Sequence, residues 1–251
     1  MDKQILYLGD TALKEAASYL AGVMSHYRIS FDYRASAERF ESALIEAGYR
    51  AIVISDYPSK NFSGRQLAQL ADRVREGMGL LMIGGWDSFY GANGEYAETV
   101  FKEVLPVRMQ STDDRVNCPQ PCLVEKNCAH PILESLPFDT ACPGIGGFNR
   151  VTTKPEGLEV LSARRFSVRR ETSGYRFSPF IEAEPLLVVG SFGKGRVAAF
   201  TSDVAPHWVG GLVDWGDSRV NACADGAGPI EVGDCYARLF FQMIRWTAKI
   251  E

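Results

Sequence analysis

The stretch from Gly77 to Gly94, GMGLLMIGGWDSFYGANG, limits what this chain can fold into more than any other part of it. Its apolar run, Leu80 to Ile83, lies between glycines and breaks at Gly84-Gly85. A short run that is apolar at every position reads as a strand buried on both faces, and the glycine pair as a tight turn at its carboxyl end. In open sheets of such strands, ligands gather outside the carboxyl ends.

The flanking sequence repeats the theme. Residues 5–8 form an apolar run that stops at Gly9-Asp10-Thr11, and residues 51–54 form another that stops at Ser55-Asp56-Tyr57-Pro58. Between them, Leu13, Ala16, Ala17, Leu20 and Met24 recur at helical spacing, with Asp10 or Thr11 as the cap. Tyr27, Ile29, Phe31 and Tyr33 alternate as in a half-exposed strand, and Ala37, Phe40, Leu44 and Ala47 return to the helical period before Gly48. Ser63 and Gln66 have capping-box spacing ahead of Leu67, Leu70, Ala71 and Val74. Ala97, Val100, Phe101 and Val104 predict one more helix before Pro106. This alternation predicts an α/β domain with a mostly parallel sheet, helices on both faces and right-handed crossovers.

After Pro106 the pattern changes. Residues 107–185 are rich in proline, cysteine and short polar clusters, and are expected to form an irregular insertion with short strands. No clean linker divides the chain, so residues 1–251 are read as a single domain. Residues 186–190 and 196–200 predict an antiparallel pair about Phe192-Gly193-Lys194-Gly195. Tyr236, Leu239, Phe240, Met243 and Ile244 predict a long closing helix.

Charge narrows the partners. The net charge is -4, and no basic run stands out beyond Arg164-Arg165 and Arg169-Arg170. Nucleic acid is not expected as a partner, because phosphate binding needs a basic face. No apolar run approaches a membrane span, and the N-terminus lacks the apolar region of a signal peptide. The expected location is therefore cytoplasmic, with the six cysteines as free thiols. A small-molecule ligand and a homo-oligomer are both compatible with such a fold, and no cofactor is expected.

The run GYRAIVISDYP, then REGMGLLMIGGWDSF, then HPIL at 130–133, then GKGRVAAFTSDVAPHW, resembles an uncharacterised glutamine-amidotransferase-like family. The resemblance covers most of the chain and implies a three-layer, flavodoxin-like sheet of the class I glutamine amidotransferase superfamily. Catalytic members of that superfamily carry a cysteine on the turn after a strand, a histidine after a late strand, and an acidic residue two positions on. Here the turn reads Gly84-Gly85-Trp86-Asp87-Ser88, without a cysteine, and the late strand ends in Thr201-Ser202-Asp203, with His207 a few residues later. The resemblance therefore implies a fold without glutaminase chemistry, serving to bind a small polar ligand or as an assembly module.

Asp10, Asp56, Asp87 and Asp203 each fall just past the end of a proposed strand, so they share one edge of the sheet. Together they can bind a hard cation or run acid/base chemistry, although each can also cap a helix or brace a turn. Gly84, Gly85 and Trp86, with His207 and Trp208, complete the expected ligand-binding set. A metal-assisted hydrolase using Asp87, Asp203 and His207, or Ser88 as a nucleophile, is the alternative. Cys118, Cys122, Cys128 and His130 are candidate zinc ligands, but their spacing fits no paired Cys-x-x-Cys framework, and free thiols are expected instead. Cys142 and Cys223 are the remaining candidates for a displaced catalytic thiol.

Overall fold

The computed structural model of the protein describes residues 4–251. Its first half is built of β1 (Ile5–Gly9), α1 (Ala17–His26), β2 (Phe31–Arg34), β3 (Ala51–Ser55), α2 (Gly64–Glu76), β4 (Gly79–Ile83) and α3 (Phe101–Val104). Residues 107–185 then hold β5 (Val107–Met109), β6 (Arg115–Lys126), β7 (Gly144–Asn149), β8 (Val151–Thr153), β9 (Leu158–Arg164), β10 (Phe166–Glu171) and β11 (Gly174–Pro179), and reach the start of β12 (Glu184–Phe192). The chain closes with β13 (Gly195–Phe200), α4 (Pro206–Val209), β14 (Arg219–Ala222), β15 (Ile230–Gly233) and α5 (Asp234–Ala248).

Nine strands form one sheet in the order β2-β1-β3-β4-β13-β12-β9-β6-β7. From β2 to β13 neighbours run parallel; from β13 to β7 they run antiparallel. The expectation of a mostly parallel sheet is therefore corrected to a mixed one. Parallel neighbours need a crossover, which the helical segments before Pro106 provide. Beyond that point the chain has no helix of crossover length until α5, so β6, β7, β9 and β12 pair antiparallel. Strands β10 and β11 form a separate hairpin whose Tyr175 and Phe177 are exposed.

The central strands alternate between two cores. Ile5, Tyr7, Ala51, Val53, Leu81 and Ile83 face one, which also takes the apolar sides of α1 and α5. Leu6, Leu8, Ile52, Ile54, Leu80 and Met82 face the other, with Leu67, Leu70 and Val74 of α2 and Phe101 of α3. Every residue of β1, β3 and β4 is buried, as their unbroken apolar sequence requires. Each such aliphatic side chain contributes roughly 1.5–3 kcal/mol when removed from water, so the ends of these strands are firmly placed. Ser63 and Gln66 do form the capping box of α2.

Two predicted helices are cut short. Residues 37–47 yield only a 3-10 helix at Ser42–Glu46. Backbone groups needed for a longer helix are engaged elsewhere: Tyr57 donates to the Glu38 carbonyl, Gln66 to that of Phe40, and the Phe40 amide to Asn61. Similarly, residues 97–104 give a 3-10 turn at Tyr96–Glu98 and the four-residue α3. There the Thr99 hydroxyl accepts from the Phe101 amide and so restarts the chain at an angle.

Candidate functional site

Because β1, β3, β4 and β13 are parallel, their carboxyl ends meet at one edge, and three aspartates converge there. Asp10, Asp56 and Asp203 each offer a carboxylate oxygen within 4.8 Å of the others'. Asp10 and Asp203 are buried, and Asp56 is half-buried. The backbone at Asp10 and Asp56 is left-handed, φ 51° and 50°, a conformation that aspartate tolerates better than most residues. In both, the sharp reversal after the strand turns the side chain back over the sheet edge.

Each carboxylate has its own support. Asp10 Oδ2 accepts from the Tyr7 hydroxyl at 2.5 Å. Asp56 Oδ1 accepts from the Asp87 amide at 2.7 Å, and the Trp86 amide also favours its charge. Asp203 Oδ1 accepts from the Val204 and Ala205 amides at 2.6 and 3.1 Å. These bonds do not offset confinement. Burial, followed by the charges of Asp203 and Asp56, pushes the Asp10 carboxyl well above the usual range. Burial and Asp203 do the same to Asp56. Burial raises Asp203 to about 6, against the opposing pull of its two amides and of His207. Three like charges in one small space cannot all ionise unless positive charge enters with them.

Much of the turn after β4 is already engaged. The Gly84 amide donates to the Phe200 and Ser202 carbonyls, and the Gly85 amide to Asn149 Oδ1 at 2.8 Å. The Asp87 amide is bound to Asp56, and the Gly91 amide to Asp114 Oδ1 at 3.0 Å. Gly84 and Gly85 thus shape the edge rather than present free N–H groups to an anion.

Other expected site residues are more dispersed. The Asp87 carboxylate accepts from Asn93 Nδ2 at 2.9 Å and stands outside the three-aspartate group. Ser88 is fully buried, its hydroxyl accepting from the Asp56 amide at 2.9 Å. Trp86 is 47% exposed, and its ring centroid lies 6.2 Å from that of the exposed His207. Trp208 is buried; its indole donates to Asn117 Oδ1 at 2.7 Å and occupies the space beside Gly147 that a Cβ would take. Trp86 and His207 thus lie side by side at the surface, whereas Trp208 anchors its loop from inside.

Five contributors escaped the sequence reading. Tyr7 braces Asp10, and Tyr33 donates to the Gly9 carbonyl at 2.8 Å. A lone tyrosine three residues before a strand-end aspartate was the available signal. Asn149 is fully buried, clasps both the N–H and C=O of Gly85, and donates to Asp114 at 2.7 Å. Nothing local marks Asn149 or Asp114. Arg115 lies 4.3 Å over the Trp86 ring.

The zinc candidates do not gather. Cys118 and Cys122 lie together, with Sγ atoms 2.9 Å apart. Cys128 lies by the Glu159 carbonyl, while His130 packs on Trp246 and caps the turn at Ile132. Among the described residues, the three aspartates are the one group of three or more His, Cys, Asp or Glu with metal-ligand geometry. No helix among those residues is long and apolar enough to cross a membrane.

A family model described as "Putative glutamine amidotransferase" matches residues 5–221. No curated protein sequence matches. Among solved structures, the cytoplasmic protein STM1381 from Salmonella typhimurium LT2 is 32% identical, with a TM-score of 0.66 over 82% of this chain and 90% of that one. The cytoplasmic protein STM3548 from Salmonella typhimurium is 24% identical, with a TM-score of 0.74 over 97% and 98%. A ThuA-like protein from Parabacteroides merdae shares the fold at 12% identity, with a TM-score of 0.62 over 99% and 90%.

Proposed function

This chain belongs to the glutamine amidotransferase-like family, and from that premise we propose that it is a non-glutaminase member which binds a small polar ligand at the carboxyl edge of its parallel strands, through a hard divalent cation held by Asp10, Asp56 and Asp203. The parallel strand order β2-β1-β3-β4-β13 supports a flavodoxin-like core, with the antiparallel strands as an elaboration within one domain.

The convergence of three carboxylates carries this reading. Acyl transfer to a thiolate needs a nucleophile and donors aimed at a developing oxyanion. The turn after β4 holds no cysteine, and its Gly84, Gly85 and Asp87 amides are committed to backbone carbonyls, Asn149 and Asp56. An edge walled by carboxylates destabilises an oxyanion and favours a cation. A divalent ion balances the cluster more completely than a neutral ligand, and its remaining coordination positions suit the oxygens of a small polar molecule. Trp86, Arg115 and His207 at the rim would then face that molecule. The expected result of a glutaminase assay is no ammonia release above the buffer rate. Glutamine turnover that is lost on alkylation of Cys142 or Cys223 would overturn the reading.

One observation favours a hydrolase as the second reading. Asp203, raised to about 6, feels the charge of His207, so a carboxyl poised near neutral pH and an imidazole share the edge. In this reading p-nitrophenyl acetate or p-nitrophenyl phosphate is turned over, and His207→Asn lowers the rate at least ~100-fold. Full activity in that variant would remove His207 from the chemistry. A cytoplasmic location, the one named for both Salmonella proteins, accords with the free thiols of this chain.

A further inference from the structure

Strand β6 contains a feature that the crevice does not explain. It pairs with β7 in register from Arg115↔Asn149 to Asn117↔Gly147, and pairing resumes only at Cys122↔Ile145. Five steps along β6 thus match two along β7. The extra residues include Pro119 and Pro121, which have no N–H to give to a ladder and favour the loop-out. In an unbroken strand, residues four apart would be about 13 Å from each other. The bulge instead brings Cys118 Sγ to 2.9 Å from Cys122 Sγ.

The two thiols are not equivalent. Cys118 is half-buried, whereas Cys122 is completely buried behind it. The hydrogen bond from Cys122, and then the charge of Arg165, hold the Cys118 thiol below its ordinary range; the same bond and burial push Cys122 up. A more acidic, reachable sulfur backed by a second one is the arrangement of an attacking and a resolving thiol. Neighbouring Asn117 accepts from Trp208, so the pair lies one residue from the anchor of the crevice loop.

We propose that Cys118 and Cys122 form a redox-active dithiol that closes to an intramolecular disulfide with hydrogen peroxide as the oxidant. The Cys118 thiolate attacks one peroxide oxygen; the S–O bond forms, the O–O bond breaks, and hydroxide leaves to become water. The Cys122 sulfur then attacks the Cys118 sulfenyl sulfur. The S–S bond forms, the S–O bond breaks, and the departing hydroxide takes the Cys122 proton as a second water. Two thiols lose two electrons and the peroxide gains them.

Trypsin cleavage after Arg115 and Lys126 releases both cysteines in a single peptide, VNCPQPCLVEK, which makes the test direct. The reduced full-length protein is exposed to graded hydrogen peroxide, blocked with iodoacetamide, digested and weighed. The expected peptide is two hydrogens lighter than the dithiol, carries no alkyl group, and gains two after reduction. It forms at peroxide doses that leave the exposed Cys142 and Cys223 alkylatable. In Cys122→Ser the oxidation stops at a Cys118 sulfenic acid that dimedone traps. A wild-type peptide that keeps both alkyl groups at doses oxidising half of Cys142 or Cys223 would overturn the proposal, and so would direct passage to sulfinic acid. The wild-type outcome decides the matter even if the variant does not fold.

Discussion

Gly85→Ala is expected to lose about 3 kcal/mol or more of stability, and cation binding with it. Gly85 has φ 151°, and an added Cβ would lie 2.1 Å from Asp56 Oδ1 and 2.4 Å from its Cγ. Asp56 cannot simply retreat. Its own backbone is left-handed, its carboxylate holds the Asp87 amide, and its amide holds the Ser88 hydroxyl. Movement of Gly85 is opposed by Asn149, which grips both of its backbone polar groups. Urea denaturation measures the loss. Gly174→Ala is the control: φ is 141° in the β10–β11 hairpin, but the new Cβ meets nothing within 4 Å. That variant carries the conformational cost alone, about 1 kcal/mol. Equal losses in the two variants would show that Asp56 yields freely and is not held in place by its neighbours.

Asp10→Asn is expected to have the opposite effect on the metal-free protein, stabilising it at neutral and alkaline pH while removing its cation site. The carboxyl groups of Asp10, Asp56 and Asp203 are raised in the folded state. The folded protein therefore binds more protons than the unfolded chain. The resulting stabilisation is fully present below the unfolded value near 3.8 and is lost as pH rises through the folded value, about 6 at Asp203. For Asp203 alone, the loss is on the order of 3 kcal/mol. Asparagine at position 10 still accepts from Tyr7 but removes one of the competing charges. The variant should gain roughly 1–2 kcal/mol near pH 8 in chelator-treated buffer and show a flatter pH dependence than the wild type. Lower stability at that pH would mean that the charges of the cluster are not in conflict. Stability gained where function is lost is the pattern expected when a strained group is kept for binding.

Much of this was legible because it is local. The unbroken apolar runs of β1, β3 and β4 could only be buried, and the Ser63–Gln66 spacing and the apolar faces of α2 and α5 follow one helical period. Parallel strands end on one edge, so aspartates just past them had to be neighbours; Asp10, Asp56 and Asp203 met on that logic. Asp87 did not join them, because its side chain answers to Asn93 on its own loop. Partners fixed by distant chain segments were not legible. Strands β6, β7 and β9 pair through register shifts that leave no regular alternation, and β6 is half-buried or exposed along most of its length. Asn149 and Asp114 act across 64 and 23 residues on Gly85 and Gly91, with nothing in their own neighbourhood to reveal it. Trp208 looked like a rim residue and is an internal anchor because Gly147 leaves room for its indole.

The most direct measurement is a calorimetric titration of the chelator-treated protein with manganese chloride near neutral pH, repeated in buffers of different ionisation enthalpy. Manganese accepts carboxylate oxygens and binds such sites more readily than magnesium does. The proposed site predicts one saturable ion per chain, with protons released because the raised carboxyls of the cluster must ionise, and loss of binding in Asp10→Asn. No saturable binding, or binding unchanged in Asp10→Asn, would contradict a cation site at this edge.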